Sequence, residues 1–229
     1  MANAQLSIKS WPVSERPRER LLAQGTEALS DAELLAIILR HGVQGKDAIA
    51  LGRDLLSQHG GFRELLSKGV RDLSRTKGLG KAKIASLLAL SEITKRTLRE
   101  KIIGKSFIRD PESILDYLYV SLRDRKREVF KVIFLNKANQ IIGEKDLFEG
   151  TVDSAAVHPR EIVKAVLDHH ATAVILVHNH PSGRTAPSNE DKDVTAGIVS
   201  ACQTISTKVL DHLIIGNNQY FSFVEAGLM

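Results

Sequence analysis

Two histidines, His178 and His180, stand two residues apart at the end of an apolar run, TAVILVHNH. In a strand, residues two apart point to the same side, so the run presents two imidazoles on one face. A carboxylate follows on the first turn of the next helical segment, Asp191, three residues after Ser188. Pro181 and Gly183 turn the chain between them, and from there Asp191 can fold back toward the histidines. Two imidazoles and one carboxylate make three protein ligands for a divalent metal. A fourth tetrahedral position is then left for water, the arrangement of a catalytic zinc. Simpler roles exist for the same residues. A histidine at a strand end is an ordinary polar loop residue, and Ser-x-x-Asp before a helix is a capping box that needs no metal.

The elements that must position these side chains fall into two kinds. From Glu19 to about Arg99 the pattern is helical, with apolar-periodic segments at 31–39, 48–58, 62–66 and 81–97 punctuated by glycines. Ser30 and Glu33 form a capping-box start for the first of them. Helices this short must pack together to be stable, so the segment is expected to be a small bundle. After about Lys101 come β-branched and aromatic runs of strand length at 129–135, 140–147, 172–177, 208–215 and 220–224. Helical stretches at 112–122, 159–169 and 189–204 separate them. Strands alternating with helices predict a mixed sheet with helices packed on it. The junction is placed in the charged stretch 99–105, giving domains 1–104 and 105–229.

The full string His178-x-His180-Pro181, then Ser188, then Asp191 resembles the JAMM signature H-x-H-P-x6-S-x2-D of MPN+ metalloproteases, and matches it at each defined position. The flanking sequences GTVDSAAVHPREI, HNHPSG, PSNED and LDHLIIGNNQYFSF narrow the likeness to the bacterial RadC family. An RERLL…LSDAELLAIILRHG segment extends it over nearly all of residues 5–229. The resemblance implies an α/β MPN/JAMM domain with a cytidine-deaminase-like mixed sheet after the helical domain. It also implies a Zn2+ site formed by His178, His180 and Asp191, with Ser188 hydrogen-bonding near the metal and helping to stabilise developing charge.

The same family uses a glutamate distant in sequence as general base. Zinc lowers the pKa of its water to about 7, but a neighbouring group must still accept and deliver the proton. The candidates are Glu128, Glu144, Glu149 and Glu161. In MPN+ proteins the glutamate comes just before an early core strand. That favours Glu128, immediately ahead of VFKVIFL; Glu149 comes second, beside Gly150. A solvated charge closing the basic run 123–127 is the plainer role for Glu128. Asp211-His212 lies within an expected strand, where a buried, paired histidine supporting the sheet is a simpler account than a second metal site.

The helical half has its own candidate. Lys77-Gly78-Leu79-Gly80-Lys81-Ala82-Lys83 resembles the hairpin of helix-hairpin-helix DNA-binding motifs, in which backbone N–H groups at a helix start meet phosphate. Residues 71–105 carry ten Lys and Arg against three Asp and Glu, so the surroundings are cationic. Any contact there is expected to be phosphate-directed and indifferent to sequence. A tight interhelical turn with a solvated basic face, or a protein-docking hairpin, explains the same residues.

Composition bounds the rest. Residues 1–104 carry 18 Lys and Arg against 11 Asp and Glu, and residues 105–229 carry 14 against 16, so the net charge of +5 sits in the helical half. A single cysteine, Cys202, excludes an intramolecular disulfide and a Cys-only zinc site. No apolar run is long enough to span a membrane, and the first residues lack the core of a signal peptide, which points to the cytoplasm. The leading expectation is therefore a zinc metallopeptidase acting on a peptide or isopeptide-linked protein. The alternative is a DNA-associated module whose metal site is structural or acts on nucleic acid. Three evident ligands favour the enzyme, because a structural zinc usually has four protein ligands.

Overall fold

The computed structural model describes residues 8–150 and 157–229, which divide into two compact units, Met1–Thr94 and Lys95–Met229. The first unit is helical, with α1 (Pro17–Gln24), α2 (Asp31–Leu39), α3 (Ala48–His59), α4 (Phe62–Leu66), α5 (Val70–Leu73) and the start of α6 (Lys81–Ile102). Ser30 caps α2 as its sequence indicates: the Glu33 amide donates to Ser30 Oγ at 3.4 Å, and the Ser30 amide donates to Glu33 Oε2 at 2.9 Å. Asp47 caps α3 by accepting from the Ala50 amide at 2.7 Å. Leu35 and Leu39 of α2, at helical spacing, meet Leu51 and Leu55 of α3 in a core completed by Leu65, Leu73, Leu79 and Leu87. The turn into α6 requires glycine at 78, where φ is +94° and an added Cβ would stand 2.7 Å from Leu51 Cδ1.

The junction between units falls inside α6. Leu98 and Ile102, on its last turns, belong to the apolar core of the second unit. The sequence pattern puts the break ten residues later, where the helix stops and charge accumulates. A helix that runs unbroken through a junction leaves no compositional mark there.

The second unit continues through α7 (Pro111–Leu118), a π-helical turn at Tyr119–Arg123, β1 (Val129–Leu135), β2 (Ile141–Glu149), α8 (Pro159–Asp168), β3 (Ala173–Asn179), α9 (Asn189–Thr204), β4 (Lys208–Ile215) and β5 (Tyr220–Ser222). The strands form one sheet in the order β2-β1-β3-β4-β5. Only the β3–β4 pair is parallel, joined by the crossover helix α9; the other pairs are antiparallel. Helices cover both faces. Ile133, Ile175 and Val177 pack with Ile114, Tyr117 and Leu118 of α7. Phe130, Val132, Val174 and Leu176 pack with Ile162 and Val166 of α8 and Ile198 and Cys202 of α9. Covered on both faces, β1 and β3 are buried along their whole length, which is why both read as continuous apolar runs. Beyond α6 the chain passes along the start of β2 and hydrogen-bonds to it: Gly104 N–H donates to Ile141 O at 2.8 Å and Ile141 N–H to Lys105 O at 2.9 Å. Among the described residues no helix is long and apolar enough to cross a membrane.

Candidate metal centre

The strand β3 extends through Asn179, so His178 is itself a strand residue, pointing to the face covered by α8 and α9. His180 follows where the strand ends, and its amide still donates to Ile215 O of β4 at 3.1 Å. Asp191 is the third residue of α9, which Ser188 caps. The Ser188 amide and hydroxyl donate to Asp191 Oδ2 at 2.7 and 2.8 Å, and the Asp191 amide donates to Ser188 Oγ at 3.0 Å. The capping box and the ligand geometry are thus one arrangement: the cap fixes Oδ2 and thereby aims the carboxylate. His178 Nε2 lies 3.0 Å from His180 Nε2 and 3.2 Å from Asp191 Oδ1, and His180 Nε2 lies 3.4 Å from Asp191 Oδ2.

Hydrogen bonds behind the histidines fix where their protons sit. His180 Nδ1 lies 2.9 Å from Arg184 O, a carbonyl that can only accept, so Nδ1 carries the hydrogen. His178 is held through two further side chains. Thr195 Oγ1 lies 2.5 Å from Asp191 O and 2.6 Å from His212 Nδ1. Its one hydrogen goes to the carbonyl, so His212 Nδ1–H donates to the hydroxyl. Burial, with His178 beside it, pushes the His212 imidazole well below the usual range and keeps it neutral. Its Nε2 then accepts from His178 Nδ1–H at 2.8 Å. With both rings neutral, the Nε2 atoms of His178 and His180 accordingly turn lone pairs to the same point, beside a carboxylate whose hydrogen bond holds the His180 imidazole above its ordinary range. Burial acts to raise the Asp191 carboxyl, but hydrogen bonds from the two rings, donated when they carry a proton at Nε2, and from the Ser188 amide outweigh it and hold the group far below the ordinary carboxylate range.

Two imidazole nitrogens and a carboxylate converging within 3.0–3.4 Å of one another need a proton or a metal ion among them. Ligand atoms about 2.0–2.1 Å from a tetrahedral zinc are about 3.3 Å apart, so this donor set fits that ion. Glu128 completes the group: one ligand atom from each of Glu128, His178, His180 and Asp191 lies within 4.8 Å of the others. Its Oε1 is 4.0 Å from His178 Nε2, and its side chain is 45% exposed, against 1% for His178.

The strand register explains how Glu128 arrives there. Phe130 of β1 pairs with His178 of β3, so the antiparallel ladder carried two residues further sets position 128 opposite position 180. The other glutamates lie elsewhere. Glu144 pairs with Lys131 at 2.9 Å and accepts from Tyr117 OH on the face covered by α7. Glu149 is exposed at the end of β2, 3.8 Å from Arg127, and Glu161 pairs with Arg160 on the first turn of α8.

In the helical unit Lys77, Gly80 and Lys81 are exposed at the start of α6, and Gly78 is partly so. Lys83 is not part of that surface. It is buried, and its Nζ donates to Gly42 O at 3.2 Å, bracing the turn closed by the Val43–Lys46 bridge. This removes Lys83 from the cations available to a phosphate, because position 83 turns inward on α6 while Lys81 at its start and Lys77 in the preceding turn face solvent. Sequence reasoning misses Thr195, which reads as an ordinary mid-helix threonine, and the partner of His212. The alternation in β4 signals that His212 is buried, but nothing in the sequence says that it abuts His178.

Comparison with known proteins agrees with this architecture. Residues 108–228 match the family described as RadC-like JAB domain, and residues 8–85 match the UPF0758 N-terminal family. The chain is 50% identical to a UPF0758 protein of Aeromonas hydrophila subsp. hydrophila over 222 residues, 97% of this chain and 99% of the relative. It is 48% identical to one of Pseudomonas fluorescens over 98% of this chain and all of the relative, and 46% identical to one of Saccharophagus degradans over 97% and 99%. With a sheet unit matched almost end to end and relatives of its own length, the chain belongs to the RadC-like JAB domain family.

Proposed function

We propose that this chain is a zinc-dependent hydrolase of peptide or isopeptide bonds. What carries the proposal is the convergence of two lone-pair imidazole nitrogens and the Asp191 carboxylate, with one more carboxylate, Glu128, alongside and half exposed. His178, His180 and Asp191 would hold the metal, leaving a position open to solvent. Bound there, zinc supplies Lewis acidity toward a substrate carbonyl and acidifies water to a pKa of about 7. Glu128 accepts a proton at Oε1 and delivers it to the leaving amine, a role that needs a carboxylate near the ligands but free of them. The exposed Ser188 hydroxyl orients Asp191 in the resting state and, on turning to a substrate, donates to the oxygen on which negative charge develops. Metal analysis of the purified chain, followed by cleavage of a peptide library with and without chelator, tests the reading. A metal-free chain, or cleavage indifferent to chelation, overturns it.

A second activity has its own support: Lys77 and Lys81 flank a glycine turn at the N-terminus of a 22-residue helix, in the unit that holds the excess positive charge. We infer that this surface, a helix-hairpin-helix-like element, contacts the DNA backbone without sequence preference.

A further inference from the structure

Between the two histidines lies a residue that faces neither the ligands nor solvent. Asn179 is fully buried, at 0% exposure, and its amide hydrogen-bonds only to backbone. Its Oδ1 accepts from the Val129 amide at 2.9 Å, and its Nδ2 donates to the carbonyls of Arg127 at 3.2 Å and Arg125 at 3.4 Å. The Gly150 amide donates to the Glu128 carbonyl at 2.9 Å. Glu128 thus sits on a backbone pinned at the residue before it, at itself and at the residue after it.

We propose that Asn179 is a positioning residue for Glu128, setting the carboxylate against the metal-binding histidines. The proposal rests on the acid–base role given to Glu128 above. One strand then does two things at successive positions: His178 turns to the metal, and Asn179 turns the other way and grips the segment that carries the proton acceptor. The distance between ligand and acid–base group is set by adjacent residues of β3 instead of by a loop. A side chain of this kind is required at position 179. Serine or threonine cannot span an amide and two carbonyls, and aspartate accepts only, so it would set a carboxylate against two carbonyl oxygens. Groups that act together in catalysis lose rate with displacements of about 1 Å, which gives such a bracket its value.

The test uses the full chain loaded with cobalt(II), whose visible absorption reports on the surroundings of the ion without any substrate. Asn179 bonds to no ligand, so Asn179→Ala keeps its metal, and its affinity escapes the roughly 10–100-fold loss that follows removal of a ligand's own hydrogen-bond partner. The Val129 amide exchanges with solvent about tenfold faster, as expected for losing a net hydrogen bond. The cobalt spectrum moves toward that of Glu128→Gln, and the Asn179→Ala/Glu128→Gln double variant matches Glu128→Gln alone. Asn179→Asp, which keeps the acceptor for Val129 and loses both donations, falls between, and it carries the comparison should the alanine variant fail to fold. Unchanged exchange at Val129 in Asn179→Ala overturns the proposal, as does a double variant whose spectral shift is the sum of the two single ones. If Glu128→Gln keeps full metal-dependent cleavage, the acid–base reading falls on its own, and amide exchange still decides whether Asn179 holds the segment.

Discussion

In the helical unit the cations Lys77 and Lys81 stand in solvent, while in the sheet unit His178 and His212 are shut away from it and bonded to each other. Both units contain polar residues in suggestive spacing, but among the described residues it is in the second that folding brings a cluster of distant histidines and carboxylates to a single point. Burying a polar group without a partner costs about 1–3 kcal/mol, so a chain of buried imidazoles is kept only where every member is satisfied. The line from Asp191 O through Thr195, His212 and His178 meets that condition and ends at His178 Nε2, the atom that meets His180 and Asp191. The helical unit shows the reverse case. Its one buried cation, among those proposed for phosphate, is Lys83, and it serves the fold. A charge count alone does not separate a site from a surface; convergence under burial does.

The largest expected effect comes from His178→Ala. Metal binding should be lost outright, since the remaining imidazole and carboxylate hold zinc weakly, and unfolding stability should fall as well because His212 loses its partner at Nε2, by about 1–3 kcal/mol. Titration with zinc against a chromophoric chelator, together with denaturant melts, reads both. Full metal content would break the contrast between the units at its strongest point.

Next comes Glu128→Gln, which keeps the shape and removes the carboxylate proposed to accept the proton. Metal content and melting should match the parent, while any metal-dependent cleavage drops about 10²–10⁴-fold. Glu149→Gln, in an exposed residue outside the cluster, should leave the rate alone. An inactive Glu149→Gln beside an active Glu128→Gln would move the proton acceptor to the end of β2.

The helical unit can be divided by the same logic. Lys83→Met should destabilise that unit by about 1–2 kcal/mol by stranding the Gly42 carbonyl, without a direct effect on polyanions. Lys77→Glu with Lys81→Glu should change stability by less than about 0.5 kcal/mol, yet weaken DNA binding at low salt. The slope of log K against log salt should become shallower by about 0.9 for each phosphate that the variant no longer neutralises. A full chain with no DNA affinity in low salt would leave the hairpin a structural turn.

What can be read from sequence here follows from the range over which each interaction acts. The capping boxes at Ser30 and Ser188 and the apolar strands β1 and β3 are written in neighbouring residues, and the pattern of types is enough to find them. The histidine pair is similarly local. Glu128 is reachable only by likeness to other proteins, because its place depends on the register of β1 against β3, about fifty positions away along the chain. Lys83 is easily misjudged because a lysine in a basic run looks solvated, and its acceptor, Gly42, lies 41 residues distant. Asn179 carries no signal at all: an amide between two histidines shows nothing of which backbone it will grip.

The smallest effect expected is on pH dependence, from a carboxyl outside the metal site. Asp211 is buried, and burial pushes its carboxyl above the ordinary value of 3.8 despite bonds from Ser222, Val224 and the His212 amide. The folded chain therefore holds this proton to higher pH than the unfolded one does. The contribution is fully present below the unfolded value and is lost as pH rises through the folded one. Asp211→Asn should remove that decline from stability measured across the acid range, and an unaltered profile would show that the group titrates normally.

The short pairing of residues 104–105 with Ile141, at the start of β2, has a consequence for the protein in concentrated solution. An open strand edge is a template on which another chain can add, and β2 is one of the two outer strands of the sheet, with β5 the other. Here the chain closes the beginning of its own edge, and charged residues from Glu144 to Asp146 occupy the part that follows. Register irregularities at Phe130/Lys131 and at Phe134/Leu135 also interrupt the ladder between β1 and β2. A sheet in which β1 and β3 are almost wholly apolar is in this way discouraged from growing sideways at its β2 edge.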